Sequence, residues 1–256
     1  AANGGKGFEA HQLAVQDAGD LPEMDRYLLA RTRNLVAGVQ KSLDSFAISD
    51  ACDAVADYID GLTNWYIRNS RDRFWNEDPQ AFNTLYTALE VLCRVIAPLA
   101  PMEAETIWRG LTGGESVHLT DWPYLDGTGL GGILRRDDGL VSAMDKVREI
   151  VSGTLSLRKA RQIRVRQPLS TLSVLVSDVD AVSPYADLIK SELNVKEVRF
   201  STLEAAAGHG LRIISELKVN ARAAGPRLGK RVQSVIKASK SGDWHKASGG
   251  GVAVAT

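Results

Sequence analysis

At 256 residues and 44% hydrophobic content, the chain has the makeup of an ordinary globular protein, long enough for one large domain or two modest ones. Its formal net charge is zero, yet residues 1–126 hold 10 Lys and Arg against 19 Asp and Glu, and residues 127–256 hold 21 against 12. That split predicts two domains and makes the basic half a candidate for a polyanion, while no apolar run reaches membrane-span length and the start, AANGGKGFEAHQ, lacks a signal-peptide core.

Residues 1–20 are Gly-rich and polar, and no Met precedes Ala1, so a continuation upstream is expected. Leu21-Pro22 opens a helix whose face is predicted as Leu28, Thr32, Leu35, Val39, Leu43 and Phe46. A second helix runs from a Ser49 or Asp50 cap to about Trp75, with Ile48, Cys52, Val55, Ile59, Leu62 and Tyr66 recurring at steps of four and three. Asn76-Glu77-Asp78-Pro79 is a break, with Pro suited to a first helical turn. A third helix places Phe82, Leu85, Leu89, Leu92 and Ile96 inward, and Pro101 starts a fourth with Ala104, Ile107, Trp108 and Leu111. Gly113-Gly114 stops it. Four amphipathic helices with short connections predict a bundle. Cys52 and Cys93 fall on apolar helical positions, read as small buried hydrophobes in a reducing compartment, and no Cys-x-x-Cys pair suggests a zinc ribbon.

ESVHLTDWP (115–123) reads as a polar tether anchored by Leu119 and Trp122, with His118 a surface residue. DGTGLGGILRRDDG (126–139) is the linker candidate. Helical spacing returns from Leu140 to about Ile163 through Val141, Met144, Val147, Ile150, Val151 and Leu155. Then the period changes. Residues 172–176 and 195–200 read as strands around a helix near 186–193, Leu211 to Val219 as a third strand or two short ones, and Gly225 to Lys240 as a last basic helix. The tail ASGGGVAVAT carries no stop signal and reads as ending mid-element. The predicted fold class is mainly α: an antiparallel helical bundle over 1–125, followed by a small basic α/β junction domain over 126–256.

Two stretches concentrate arginine. NWYIRNSRDRFW (64–75) sets Arg68, Arg71 and Arg73 among Trp65, Tyr66, Phe74 and Trp75 at the end of the acidic second helix. It has two readings: charge complementing the helix dipole with aromatics in a core, or an arginine cluster open to phosphates and bases. RKARQIRVR (158–166) sets Arg158, Lys159, Arg161, Arg164 and Arg166 together with no acid among them. The four histidines are scattered, no Gly-x-Ser-x-Gly or phosphate loop occurs, and no carboxylate pair stands out, so the residues by themselves describe a binding module.

DRYLLARTR (25–33), NWYIRNSRDRFW (64–75), LYTALEVLCRVIAPLAPMEAETIW (85–108) and SVHLTDWP (116–123) resemble the anticodon-binding helical domain of class I aminoacyl-tRNA synthetases. The WYIR..R.RFW pattern is similar to the isoleucyl type more than to the valyl or leucyl types. RKARQIRVRQPLSTLSV (158–174), ELNVKEVRF (192–200) and GPRLGK (225–230) resemble the C-terminal junction region of that type, in the eukaryotic-like version lacking zinc cysteines. The resemblance covers nearly everything from Leu21 onward.

It implies recognition of the anticodon stem-loop of the isoleucine tRNA in the cytoplasm. The catalytic and editing domains, with their HIGH and KMSKS motifs, ATP and Mg, would lie upstream in the same chain; no cofactor, metal or membrane is expected here. KASKS (237–241) imitates KMSKS but follows the helical domain, so no catalytic residue is assigned. The RNA-binding candidates are Arg68, Arg71, Arg73 and Trp75 on the bundle and Arg158, Arg161, Arg164 and Arg166 in the junction region. Trp65 and Tyr66 are expected to be mainly core, and Arg31 and Arg33 a solvated face or a contact with the upstream domain. The alternatives are a docking domain with little RNA affinity, or the equivalent domain of a valyl-type enzyme.

Overall fold

The computed structural model describes residues 9–126, 129–202, 204–205, 219, 229–241, 244–246 and 252–254. The first long helix, α1 (Glu23–Asp44), begins after Pro22 with Glu23 and Asp25 in its first turn, where carboxylates complement the helix dipole. It buries Leu28, Thr32, Leu35 and Val39 as the spacing predicts. Phe46 departs from that face. The helix closes with Ala47 N–H on the Ser42 carbonyl and Phe46 N–H on the Leu43 carbonyl, a Schellman cap that puts Phe46 at a left-handed φ of 57°. That turn swings the ring outward, leaving it exposed.

The expected second helix is three pieces: α2 (Ile48–Gly61), a π-helical turn (Leu62–Ile67) and α3 (Arg71–Trp75). The buried side of α2 is Ala51, Tyr58 and Gly61, one position away from the predicted stripe, so Ile48, Cys52 and Ile59 are exposed. The cause lies in what α2 meets on α1. Tyr58 shares a 2.7 Å buried hydrogen bond with Thr32 Oγ1, and Ala51 and Gly61 are buried on the same helix. Cys52 is therefore a surface thiol, contrary to expectation. Cys93 is buried, and burial pushes its thiol up to about 11.

Helix α4 (Pro79–Ile96) starts on an Asp78 cap that accepts from Gln80 N–H, with Pro79 at its first position. It is buried nearly all round, through Ala81, Thr84, Ala88, Val91 and Val95, and packs on α1, α3 and α5. Helix α5 (Pro101–Thr112) ends on Gly113 in the left-handed region at φ 68°. Glu105 then receives Ser116 Oγ at 2.9 Å and Val117 N–H at 3.0 Å, which fastens the tether back onto α5.

The linker candidate at 126–139 is not a free linker. It carries a short helix, α6 (Leu130–Ile133), whose Ile133 joins Leu134 in the core, and Arg33 Nη1 donates to the Leu134 carbonyl at 3.0 Å. Three apolar residues in a Gly-rich stretch suffice to dock it. Helix α7 (Asp138–Ala160) follows from an Asp137 cap and lies against α1. Strand β1 (Leu169–Leu175), helix α8 (Ala186–Leu193) and strand β2 (Val195–Ser201) come next. The strands pair in parallel, since Leu169 N–H bonds the Asn194 carbonyl and Val176 N–H the Ser201 carbonyl in the same sense.

Contacts divide the chain into Ala1–Val174 with Asp178–Arg199, and Leu175–Ser177 with Phe200–Thr256. Within the first unit, α7 contacts α1 and α8 contacts α7. In the second unit, α9 (Val232–Ser241) packs on β4 (Val252–Val254), which pairs antiparallel with β3 (Trp244–Lys246). KASKS is helical there, within α9. The expected strands over 211–219 lie outside the described residues except for Val219.

Candidate nucleic-acid interface

Of the bundle arginines, Arg73 is taken up by the protein itself. Its Nη1 and Nη2 make a fork on Asp25 at 2.7 and 2.8 Å, and its Nε reaches Asp78 at 2.7 Å. Asp25 is 0% exposed, so this pair neutralises a carboxylate that could not otherwise be buried. Tyr66 completes the group, its hydroxyl donating to Asp25 Oδ1 at 2.8 Å. Burial, then the Asp25 charge, pushes its phenol pKa upward. Trp65 is buried beside it, as expected. The remaining members face outward: Arg71 is exposed, and Trp75 is 83% exposed at the end of α3. Arg68 is 54% exposed and holds Glu192 of α8 at 2.9 Å.

The second cluster repeats the pattern with different chemistry. Arg158 is 3% exposed. Its Nη1 donates to the Arg164 and Gln167 carbonyls at 3.1 and 3.0 Å, and its Nη2 to the Leu193 and Asn194 carbonyls at 2.7 and 3.4 Å. A guanidinium so enclosed cannot meet phosphate. Instead it organises the turn after α7. That helix ends with Ile163 N–H on the Arg158 carbonyl and Gln162 N–H on the Lys159 carbonyl, a Schellman cap with Gln162 at φ 56°. Asn194, left-handed at the end of α8, donates to the Val165 and Arg166 carbonyls at 3.0 and 3.1 Å. With these carbonyls bonded, Arg161, Arg164 and Arg166 are all exposed.

Residues 192–194 bring the two clusters together. Glu192 takes Arg68, Leu193 takes Arg158, and Asn194 holds the loop that carries Arg164 and Arg166. Beside this junction runs a cleft of about 720 Å³ between α2, the π-helical turn, α7 and α8. Arg31, Arg68 and Arg148 line it together with Asp57, Asp60, Asp145, Glu149 and Glu192. Its charges are largely paired: Arg31 with Asp57 at 2.6 Å and Asp145 at 3.0 Å, Arg148 with Asp60 at 3.1 Å. Arg31, expected on a solvated face or against the upstream domain, is thus a brace between α1, α2 and α7. Arg33 likewise spends a donor on the Leu134 carbonyl. Along the cleft the arginines are matched by carboxylates, Arg68 by Glu192 among them.

Among the eight expected contacts, Arg68, Arg71, Trp75, Arg161, Arg164 and Arg166 are exposed, whereas the half-buried Arg73 and the buried Arg158 are held by partners within the protein. Asp25, Glu192 and Asn194 were missed. Asp25 and Glu192 are ordinary charges in a helix with distant partners, but the Asn at the end of an eight-residue helix was a readable signal for a left-handed cap. Among the described residues no group of three His, Cys, Asp or Glu side chains converges to hold a metal ion, and no helix is long and apolar enough to cross a membrane.

Residues 25–174 match the family described as the anticodon-binding domain of tRNA ligase. Isoleucine–tRNA ligase of Bifidobacterium longum is 67% identical, across 99% of this chain and 24% of that protein. The Nocardia farcinica enzyme of the same name is 49% identical, across 91% of this chain and 21% of its own length. That of Leifsonia xyli is 47% identical, across 95% and 21%. The chain spans about a quarter of the length of these relatives.

Proposed function

Since the chain belongs to the anticodon-binding domain family of tRNA ligases, we propose that it is the part of an isoleucine–tRNA ligase that holds the anticodon stem-loop of the isoleucine tRNA. The observation that carries this reading is the pair of exposed arginine groups joined through residues 192–194. Unpaired anticodon bases can be stacked on aromatic or guanidinium planes and bonded along their exposed edges. Arg68, Arg71 and the exposed Trp75 offer such planes at the bundle end. Arg161, Arg164 and Arg166 offer charge to the phosphates beside them. Arg73 and Arg158 drop out of the contact set and serve as supports. Aminoacylation itself, with ATP and Mg, belongs to the catalytic domain of the longer cytoplasmic enzyme, alongside an editing domain.

The paired, acid-rich cleft favours a second reading, a docking face for another domain of the same enzyme with little RNA affinity. Fluorescence anisotropy with labelled isoleucine and valine tRNA transcripts, over a salt series, separates the two. RNA binding through phosphates weakens steeply with salt, and preference for the isoleucine transcript identifies the isoleucyl type. Affinity absent at low salt would leave the docking reading.

A further inference from the structure

Arg161, Arg164 and Arg166 lie on a turn that could fluctuate freely if only its own backbone held it. Within the turn, the only backbone bond beyond the helix cap is Gln167 N–H to the Arg164 carbonyl, at 3.0 Å. What fixes it comes from two side chains. Arg158, buried beneath, takes the carbonyls of Arg164 and Gln167; Asn194, at the side, takes those of Val165 and Arg166. Four consecutive carbonyls, 164–167, are thus bound by side-chain donors. Carbonyl oxygens repel phosphate, so engaging them with side-chain donors weakens the groups that would oppose an anion and leaves the cationic side chains outside. Arg158 also contributes its own charge beneath the turn, with no carboxylate among its bonded partners.

We propose that Arg158 and Asn194 are positioning residues that hold the 161–167 turn in a pre-shaped, phosphate-facing form. This rests on the reading above, and it assigns a role to two residues that touch no RNA. A turn whose backbone is ordered beforehand binds without the cost of ordering it on contact. This turn carries three arginines, so that cost bears on all of their contacts.

Asn194→Gly provides a test that spares the fold. Asn194 sits at φ 50° and ψ 55°, a conformation glycine adopts freely, so the α8 cap survives while both side-chain bonds to the turn are lost. Two measurements are made on the whole chain. Hydrogen exchange of amides 163–167, above all the bonded amides of Ile163 and Gln167, should speed up, with the thermal midpoint near that of the unaltered chain. Affinity for the isoleucine tRNA transcript at low salt should fall about tenfold, as expected when the turn that carries several charged side chains loses its preorganisation. Arg158→Lys, which keeps the charge but cannot reach all four carbonyls, should move both readouts the same way. Unchanged exchange in Asn194→Gly overturns the clamp. Faster exchange with unchanged affinity overturns its role in binding. Absence of tRNA affinity in the unaltered chain overturns the underlying reading and the positioning role with it, and exchange then reports only whether the clamp exists.

Discussion

The two arginine clusters are built alike and balanced differently. Each commits one arginine to partners within the protein, the half-buried Arg73 at the bundle end and the buried Arg158 after α7, and exposes the rest. Arg73 is met by two carboxylates, Asp25 and Asp78, so its charge is cancelled where it stands. Arg158 is met by four neutral carbonyls, so its charge persists and adds to the field of Arg161, Arg164 and Arg166. The bundle end therefore has its inner arginine neutralised and presents aromatic and guanidinium planes. The α7 end is a cationic turn. The first suits base edges and stacking, the second suits phosphates.

The largest effect expected from this contrast is on stability. Arg73→Met would strand a fully buried carboxylate, and breaking a buried pair in this way costs about 3–5 kcal/mol. Arg158→Met leaves carbonyls without donors, at about 1–3 kcal/mol, since some of them can turn to water. Urea unfolding of both variants measures the gap; equal losses would mean that the two arginines are balanced alike after all. Acid gives a second view. The Asp78 carboxyl is opposed by burial, yet the hydrogen bonds from Arg73 and Gln80 N–H hold it below its ordinary value of 3.8. A depressed carboxylate stabilises the fold above that value and loses its contribution as pH falls through the lower folded one. Stability should therefore drop more steeply below pH 3.8 in the unaltered chain than in Arg73→Met.

Next in size are the contacts themselves. Arg71→Ala should cost about 1–3 kcal/mol for the isoleucine transcript and little for the valine one, as the loss of a base contact does. Arg161→Ala with Arg164→Ala should weaken both transcripts alike and lower the salt slope by about 1.4–1.8, two phosphate contacts' worth. Reversed behaviour, selectivity lost at the α7 end and salt dependence at the bundle end, would invert the assignment. Smaller still is Glu192→Gln. Freeing the half-exposed Arg68 from its partner should raise tRNA affinity by no more than about 1 kcal/mol, the scale of exposed ion pairs. A fall instead would mean that Glu192 holds Arg68 in its binding position.

Much of this architecture was legible from periodicity and punctuation. Pro22, Pro79, Pro101 and Gly113 mark helix ends where the spacing places them, and the strand–helix–strand run near 169–201 is where the period changes. What periodicity could not fix was rotation about the axis. On α2 the buried residues are Ala51, Tyr58 and Gly61, not the most apolar ones, and Tyr58 has its hydroxyl partner Thr32 on α1 while Ile48 and Cys52 face out. The site was half legible for a related reason. Local charge density locates both arginine clusters but cannot say which arginine is consumed inside. That depends on Asp25, 48 residues from Arg73, and on carbonyls up to 36 residues from Arg158. Neither partnership leaves a mark in the neighbouring sequence.

The smallest prediction concerns the caps that end the two supporting helices. After α3, Asp78 N–H bonds the Arg73 carbonyl and Glu77 N–H the Phe74 carbonyl. After α7, Gln162 occupies the position that Glu77 takes here, at φ 56° against 58°. In each case the carbonyl of the supporting arginine receives the outer bond of the cap, so one local motif places both supports. A side chain other than glycine in this conformation is strained by about 1–2 kcal/mol, partly offset because glycine has more chain entropy to lose on folding. Glu77→Gly and Gln162→Gly should therefore each stabilise the chain, by roughly 0.5–1 kcal/mol after that offset. Thermal unfolding of the two variants compares the ends directly. Equal gains would show that the caps are interchangeable and that the clusters differ only in what balances their inner arginine. If Glu77→Gly destabilises while Gln162→Gly stabilises, the Glu77 side chain contributes something at the bundle end beyond completing the turn, and the likeness of the two ends stops at the backbone.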